Sequence, residues 1–302
     1  MGKISNHNKI LIPLLVLVLV LTTAFSGCAS RTTTDGDDVN TDVEGGVIGP
    51  WKSTLQNKEY TKTEPPQLAD QIMDMKAENA DTVGWLVVPN TDINDVVVCD
   101  FTDNEYYLRK NFYGDYDFNG VFYADRRSKF EDGGSRDGIG NNTTIYGHAM
   151  TDNMENDAYE IKFGPLHNFR DETFAKNTPY IYFSTAGEDM VWEVFAVFFA
   201  NRNKVAYNRN DLSQEEIYNM VKNDALPRSI YNYDVDVKAD DKILTLSTCA
   251  YVLPNGTPTN YPKTHYRYVV MARLVEPGAT LKEQASFKVN KNPIVDEDNY
   301  PN

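Results

Sequence analysis

The chain has 302 residues, with 29 Lys plus Arg against 44 Asp plus Glu and a net charge of −15. With 41% hydrophobic residues it can fill one good-sized core and leave tails. So acidic a chain, without a basic run, is a poor nucleic-acid binder because phosphates repel it. Cys28, Cys99 and Cys249 stand far apart, in neither CxxC nor Cys/His clusters. That spacing predicts no metal site and no structural disulfide. The acidic residues are scattered and form no calcium-binding loop, and no cofactor is expected.

Residues 1–28 read as a targeting segment. Lys3 and Lys9 are followed by an apolar run from Ile10 to Leu21, broken only by Pro13, and then by Ala24-Phe25-Ser26-Gly27-Cys28. Small residues before a cysteine resemble the bacterial lipobox, with Phe25 where leucine is commonest, so Cys28 is a candidate lipidation site. The alternative is an uncleaved anchor, because Ile10 to Ser30 is uncharged and about as long as a bilayer is thick. Either way the chain is expected on the outer face of a bacterial membrane. Residues 29–66 are polar, acidic and poor in apolar groups, and read as a flexible stalk.

The body, residues 67–277, opens with a helix marked by Leu68, Ile72 and Met75 on one stripe. Strands are predicted near Val83–Val88, Val96–Val98, Val121–Ala124, Thr143–Tyr146, Tyr180–Ser184, Val191–Ala200, Ile243–Ser247 and Tyr268–Leu274. Eight strands without regular βα alternation favour a mainly β fold, a closed or nearly closed barrel. Helices are expected over Asn104–Asn111, parts of Glu155–Lys176 and Ser213–Asp224. The last carries a capping box (Ser213, Glu216) and a hydrophobic staple (Leu212, Ile217), and lies between the sixth and seventh strands. Residues 278–302 read as a loose tail.

Chemistry concentrates at strand ends. Ile243 to Leu246 is apolar or β-branched, then the small hydroxyl residues Ser247 and Thr248 and Cys249 lead into a loop with Pro254, Asn255 and Gly256. A thiol there is held yet reachable, although a lone cysteine is commonly a small buried hydrophobe. A nucleophilic thiol needs a base or cation beside it and a donor for the oxyanion. Of four histidines, His7 falls in the targeting segment and His167 in a helix. His148, after a strand and a glycine, and His265, before the last strand, both remain candidates by spacing. Arg267 enters an apolar strand, where a charge is costly unless used. Arg273, near that strand's exit, fits an ordinary edge arginine better.

Tyr146-Gly147-His148, Thr245-Leu246-Ser247-Thr248-Cys249 and Arg267, in that order on three strand ends, resemble the signature of the sortase family. Asn79 to Leu86, Asp103 to Leu108, Asn142 to His148 and the helix before the seventh strand resemble class B members. The resemblance covers roughly residues 67–276 and implies an eight-stranded β-barrel cysteine transpeptidase. Cys249 would attack the carbonyl after the threonine of a C-terminal Pro-x-Thr-type sorting signal, forming a thioester. Arg267 would bind the oxyanion or position the peptide. His148 would protonate the leaving amine and deprotonate the incoming one, an amine of peptidoglycan or its lipid-linked precursor. The working pair would be a thiolate and an imidazolium, a minority state that implies slow turnover. Asn104, Leu108, Tyr146, Tyr207 and Ser247 match groove positions. The long polar loop from Ala250 to Tyr266 departs from the class pattern, and its Tyr261-Pro262-Lys263-Thr264-His265 itself has the form of a sorting signal. An L,D-transpeptidase would place arginine two residues after the cysteine, where Tyr251 stands. A papain-like hydrolase would place its cysteine before its histidine. A tethered but catalytically silent binding lipoprotein is the non-enzymatic alternative.

Overall fold

The computed structural model describes residues 58–61, 64–150, 161–250 and 265–296. The targeting segment with Cys28, nearly all of the stalk and the loop after Ala250 lie outside the described residues. Among those described, no helix is long and apolar enough to cross a membrane.

All eight expected strands form. They are β1 (Thr82–Val87), β2 (Asn94–Val98), β3 (Phe122–Ala124), β4 (Asn142–Tyr146), β5 (Tyr180–Ser184), β6 (Val191–Asn201), β7 (Ile243–Cys249) and β8 (Tyr266–Leu274). They close into a barrel in the order β1-β2-β3-β4-β7-β8-β6-β5. The β2–β3 and β4–β7 pairs are parallel, so β4 and β7 end at the same rim.

Strand alternation divides each strand between two environments. Leu86, Val97, Phe122, Ile145, Leu246 and Val270 point into the barrel core. On the other face, Phe195, Phe198, Val269 and Met271 pack under the inserted helix α3 (Gln214–Met220). β6 is therefore covered on both sides, and its Val194–Ala200 stretch reads as an unbroken apolar run. At Gly84 a side chain would collide with the Ser184 carbonyl and the Phe183 ring, so the close approach of β1 to β5 requires glycine.

The first helix, α1, runs over Ala69–Glu78 with Ile72 buried. The capping box at Ser213 and Glu216 is present as predicted. The helix it opens, however, runs beyond Asp224. After α3 it widens into a π turn over Val221–Ala225 and continues through Leu226–Arg228. Proline normally ends a helix because its ring meets the carbonyl four residues back, and the widened turn accommodates Pro227. The helix expected over Asn104–Asn111 is only a 3₁₀ turn, Tyr106–Arg109. In the 155–176 region a 3₁₀ helix, Gly164–Arg170, is followed by α2 (Glu172–Asn177), capped by Asp171.

Within the stretch expected to be a loose tail, residues 287–296 are docked. Phe287–Val289 forms a strand antiparallel to Tyr231–Tyr233, and the Phe287 ring lies 4.3 Å from that of Tyr231. Asp296 reaches Arg228 at 2.9 Å. Two alternating apolar residues in a polar stretch are enough to dock it.

Candidate active site

On β7, Ile243, Thr245, Ser247 and Cys249 face away from the barrel core, while Leu244, Leu246 and Ala250 face into it. β8 sets Arg267 directly opposite Cys249. On the other side, Ser247 is in register with Tyr146. β7 runs on to Cys249, whereas β4 ends at Tyr146 and the chain reaches His148 through Gly147, whose amide donates to the Ser247 carbonyl at 3.4 Å. Tyr123 on β3 pairs with Tyr146. Tyr123, Cys249 and Arg267 thus belong to β3, β7 and β8, and His148 follows the end of β4, the strand between β3 and β7. Of the three strand-end residues singled out in the sequence, the register pairs Cys249 with Arg267 directly.

His148 leaves β4 through Gly147, where a side chain would strike the stacked Phe122 and Phe163 rings at 2.8–2.9 Å. Its Nε2 lies 2.8 Å from the Leu108 carbonyl, so this nitrogen donates and fixes the tautomer. Burial holds its pKa below the ordinary imidazole value, helped by Arg109 and Lys162 and opposed by the Leu108 carbonyl. Cys249 is a free, half-buried thiol. No hydrogen bond joins it to His148 among the described residues. The His265 carbonyl accepts from the Arg202 amide on the far side of β8, and Arg273 is held by Glu193 at 2.7 Å.

Beside the trio runs a polar seam. Asn142, Thr144 and Tyr146 occupy one face of β4, and all three bond to the segment ahead of α3. Asn142 donates to the carbonyls of Tyr207 and Arg209, and Thr144 to Asn210. Asn208 donates to the Tyr146 hydroxyl at 2.7 Å. The Tyr146 hydroxyl in turn donates to buried Asp125 at 2.8 Å. Asp125 grips Arg127 with both oxygens, and Arg127 returns to the Asn208 carbonyl at 3.0 Å. The ring of four residues closes. Burial pushes the Asp125 carboxyl up, but the donors from Arg127 and Tyr146 outweigh it and hold the group below the usual carboxylate range. Burial and then Asp125 push the Tyr146 phenol well up.

The sequence-predicted groove residues divide accordingly. The Tyr207 and Ser247 hydroxyls bond each other at 2.9 Å within the wall, and Tyr207 is buried. Tyr146 spends its hydroxyl on Asp125. Asn104 accepts from the Arg126 amide, and Leu108 offers its carbonyl to His148. Sequence reasoning misses Asp125, Asn208 and Tyr123, and it sets His167 aside as a helix residue. Tyr123 is near enough to Cys249 and Arg267 to feel both charges, although burial dominates its raised pKa. Among the described residues no cluster could hold a metal ion.

Comparison with known proteins identifies the family and the fold. Residues 86–275 match the Sortase domain family model. The chain is 27% identical over 209 residues to Sortase B of Listeria monocytogenes, covering 69% of this chain and 76% of that one. It is 26% identical over 206 residues to Sortase B of Staphylococcus aureus, covering 68% and 75%. Among solved structures, a Bacillus anthracis protein described as similar to sortase B has a TM-score of 0.55 at 30% identity, over 72% of this chain and 89% of that one. The fold and the match together define a cysteine transpeptidase, and the chain belongs to the sortase family. Within it, the chain is a class B sortase.

Proposed function

We propose that Cys249 is the acyl nucleophile, His148 the acid and base, and Arg267 the oxyanion-side cation of a sorting reaction. The observation that supports this reading is the register, which sets Arg267 opposite Cys249 and runs the end of β4, from which His148 follows, beside β7. Cys249 Sγ adds to the carbonyl after threonine in a Pro-x-Thr-type signal. The tetrahedral oxyanion collapses, the C–N bond breaks, and His148 delivers the proton to the departing amine. A second amine then attacks the thioester, gives its proton to His148 and releases the thiolate. The acceptor is an amine of peptidoglycan or its lipid-linked precursor. In support, solved relatives include a Staphylococcus aureus sortase B–substrate complex and a sortase B complexed with triglycine. Asn104, Leu108 and Tyr123 flank the surface the peptide would cross.

On this reading the enzyme works at the outer face of a bacterial membrane, tethered by the apolar segment that ends at Cys28, either lipidated or as an uncleaved helix; the support is the uncharged run from Ile10 to Ser30 and the small residues before Cys28. Incubation of the full chain with Pro-x-Thr peptides and hydroxylamine should yield a hydroxamate, and mass spectrometry should trap an acyl adduct on Cys249. Both should vanish in Cys249→Ala. Failure to find any adduct across a panel of such peptides would favour the silent-scaffold alternative.

A further inference from the structure

The backbone carbonyl of the nucleophile residue lies where the sheet runs out of partners. The Ala250 amide donates to the Tyr266 carbonyl at 3.3 Å, which makes that pair the hydrogen-bonded rung of the β7–β8 ladder. The neighbouring pair, Cys249 with Arg267, is therefore non-hydrogen-bonded. The Cys249 carbonyl points toward β4 instead. Ser247, two residues earlier, is served there by the Gly147 amide. The next rung would need the Ala149 amide. At that point the chain turns away: the His148 carbonyl accepts from Phe163, and Ala149 pairs with Lys162.

His167 fills the missing rung. Its Nε2 is 3.1 Å from the Cys249 oxygen. The imidazole is fully buried and stacks on Tyr268, ring centroids 4.5 Å apart and planes within 17°. A carbonyl can only accept, so Nε2 carries the hydrogen. Burial drives the imidazole's pKa down to about 3, with Arg170 adding to the effect and the Cys249 carbonyl opposing it. The ring therefore stays neutral and keeps this tautomer.

We propose that His167 is a positioning residue for acyl transfer, a neutral donor that replaces the lost β4 rung and fixes the backbone from which the Cys249 thiol projects. This rests on Cys249 being the nucleophile. Without the clamp the strand lip can drift where the polar loop begins, and small misplacements of a reacting atom are costly.

Two variants separate the hydrogen bond from the packing. His167→Phe keeps a flat ring on Tyr268 and loses the donor. His167→Gln keeps a donor at nearly the same place and loses the ring. With the Pro-x-Thr peptide that wild type uses best and triglycine as acceptor, His167→Phe should lower kcat about tenfold with KM unchanged. His167→Gln should recover most of that loss, even where its Tm is lower. In protein labelled with carbonyl-¹³C cysteine, the Cys249 resonance, assigned by its absence in Cys249→Ala, should shift in the Phe variant and stay near wild type in the Gln variant. Equal kcat in the two variants, or a loss that follows Tm, overturns the inference. An unshifted resonance in the Phe variant also overturns it, and this readout needs no substrate. Acyl transfer that survives Cys249→Ala would overturn the underlying reading instead.

Discussion

Arg109 lies close enough to His148 to make its protonated form harder to keep. An ordinary imidazole gives up its proton before an ordinary thiol, and a lowered His148 does so earlier still. As pH rises, the singly protonated pair therefore forms when His148 titrates, and the thiolate–imidazolium form is a fixed fraction of it. The acid-side midpoint of kcat/KM should fall below the usual value of about 6.5. Arg109→Gln should move that midpoint to higher pH and raise the plateau, as a pH–rate profile would reveal; an unmoved midpoint contradicts the role given to His148. Asp125 makes a stability prediction. Its folded pKa is depressed, so its contribution is present above the unfolded carboxylate value of about 3.9 and lost as pH falls through the lower folded value. Asp125→Asn should cost on the order of 2 kcal/mol at neutral pH and flatten the acid end of a Tm-against-pH curve. Cys249 and Arg267 were legible in the sequence from a strand end and a costly charge, whereas His148 stands out from His265 only through the family resemblance. Asp125, Asn208 and the clamp made by His167 were not legible, because their partners lie in distant segments and only the folded register brings them together.

Among the elements, α3 shows what local signals can do. Its capping box was readable from four residues and is formed, and Ser213→Ala should cost about 1 kcal/mol, a few degrees in thermal melting. The docked segment at residues 287–289 shows the opposite case. Three residues pairing with three others leave almost no periodic trace, and the surrounding polar composition hides them. Ending the chain after residue 277 should uncover Tyr231 and Tyr233 and lower Tm by more than the cap deletion does. If the truncated protein melts with the full chain, the segment contributes no stability. The polar seam on β4 has a further consequence for the wall ahead of α3. Bonds from Asn142, Thr144 and Tyr146 set where that wall stands, so substitutions there should change KM for the peptide more than kcat.

For the molecule as a whole, the eight strands were predictable from alternation and turn signals, and closure from their number and irregular spacing. The strand order was not, because parallel pairing of β4 with β7 depends on a crossover that no local pattern records. Burial also sorts the thiols. Cys99 is fully buried and its thiol is pushed up to about 12 by that burial and by Asp125, whereas Cys249 is only half-buried. Iodoacetamide at mildly alkaline pH, followed by peptide mapping, should label Cys249 in the folded protein and reach Cys99 only in denaturant. The β4–β7 rung carries one more implication. The Thr248 hydroxyl bonds the Gly147 carbonyl at 2.8 Å across 101 residues of sequence, joining the neighbours of thiol and imidazole. Contacts so distant form late and slowly. An extended chain therefore holds Cys249 and His148 apart, so with the roles proposed for them the enzyme is its own safety interlock: the thiol cannot be acylated with its acid and base at hand until the barrel has shut. In refolding experiments, transferase activity should return with the slowest structural phase and never ahead of it.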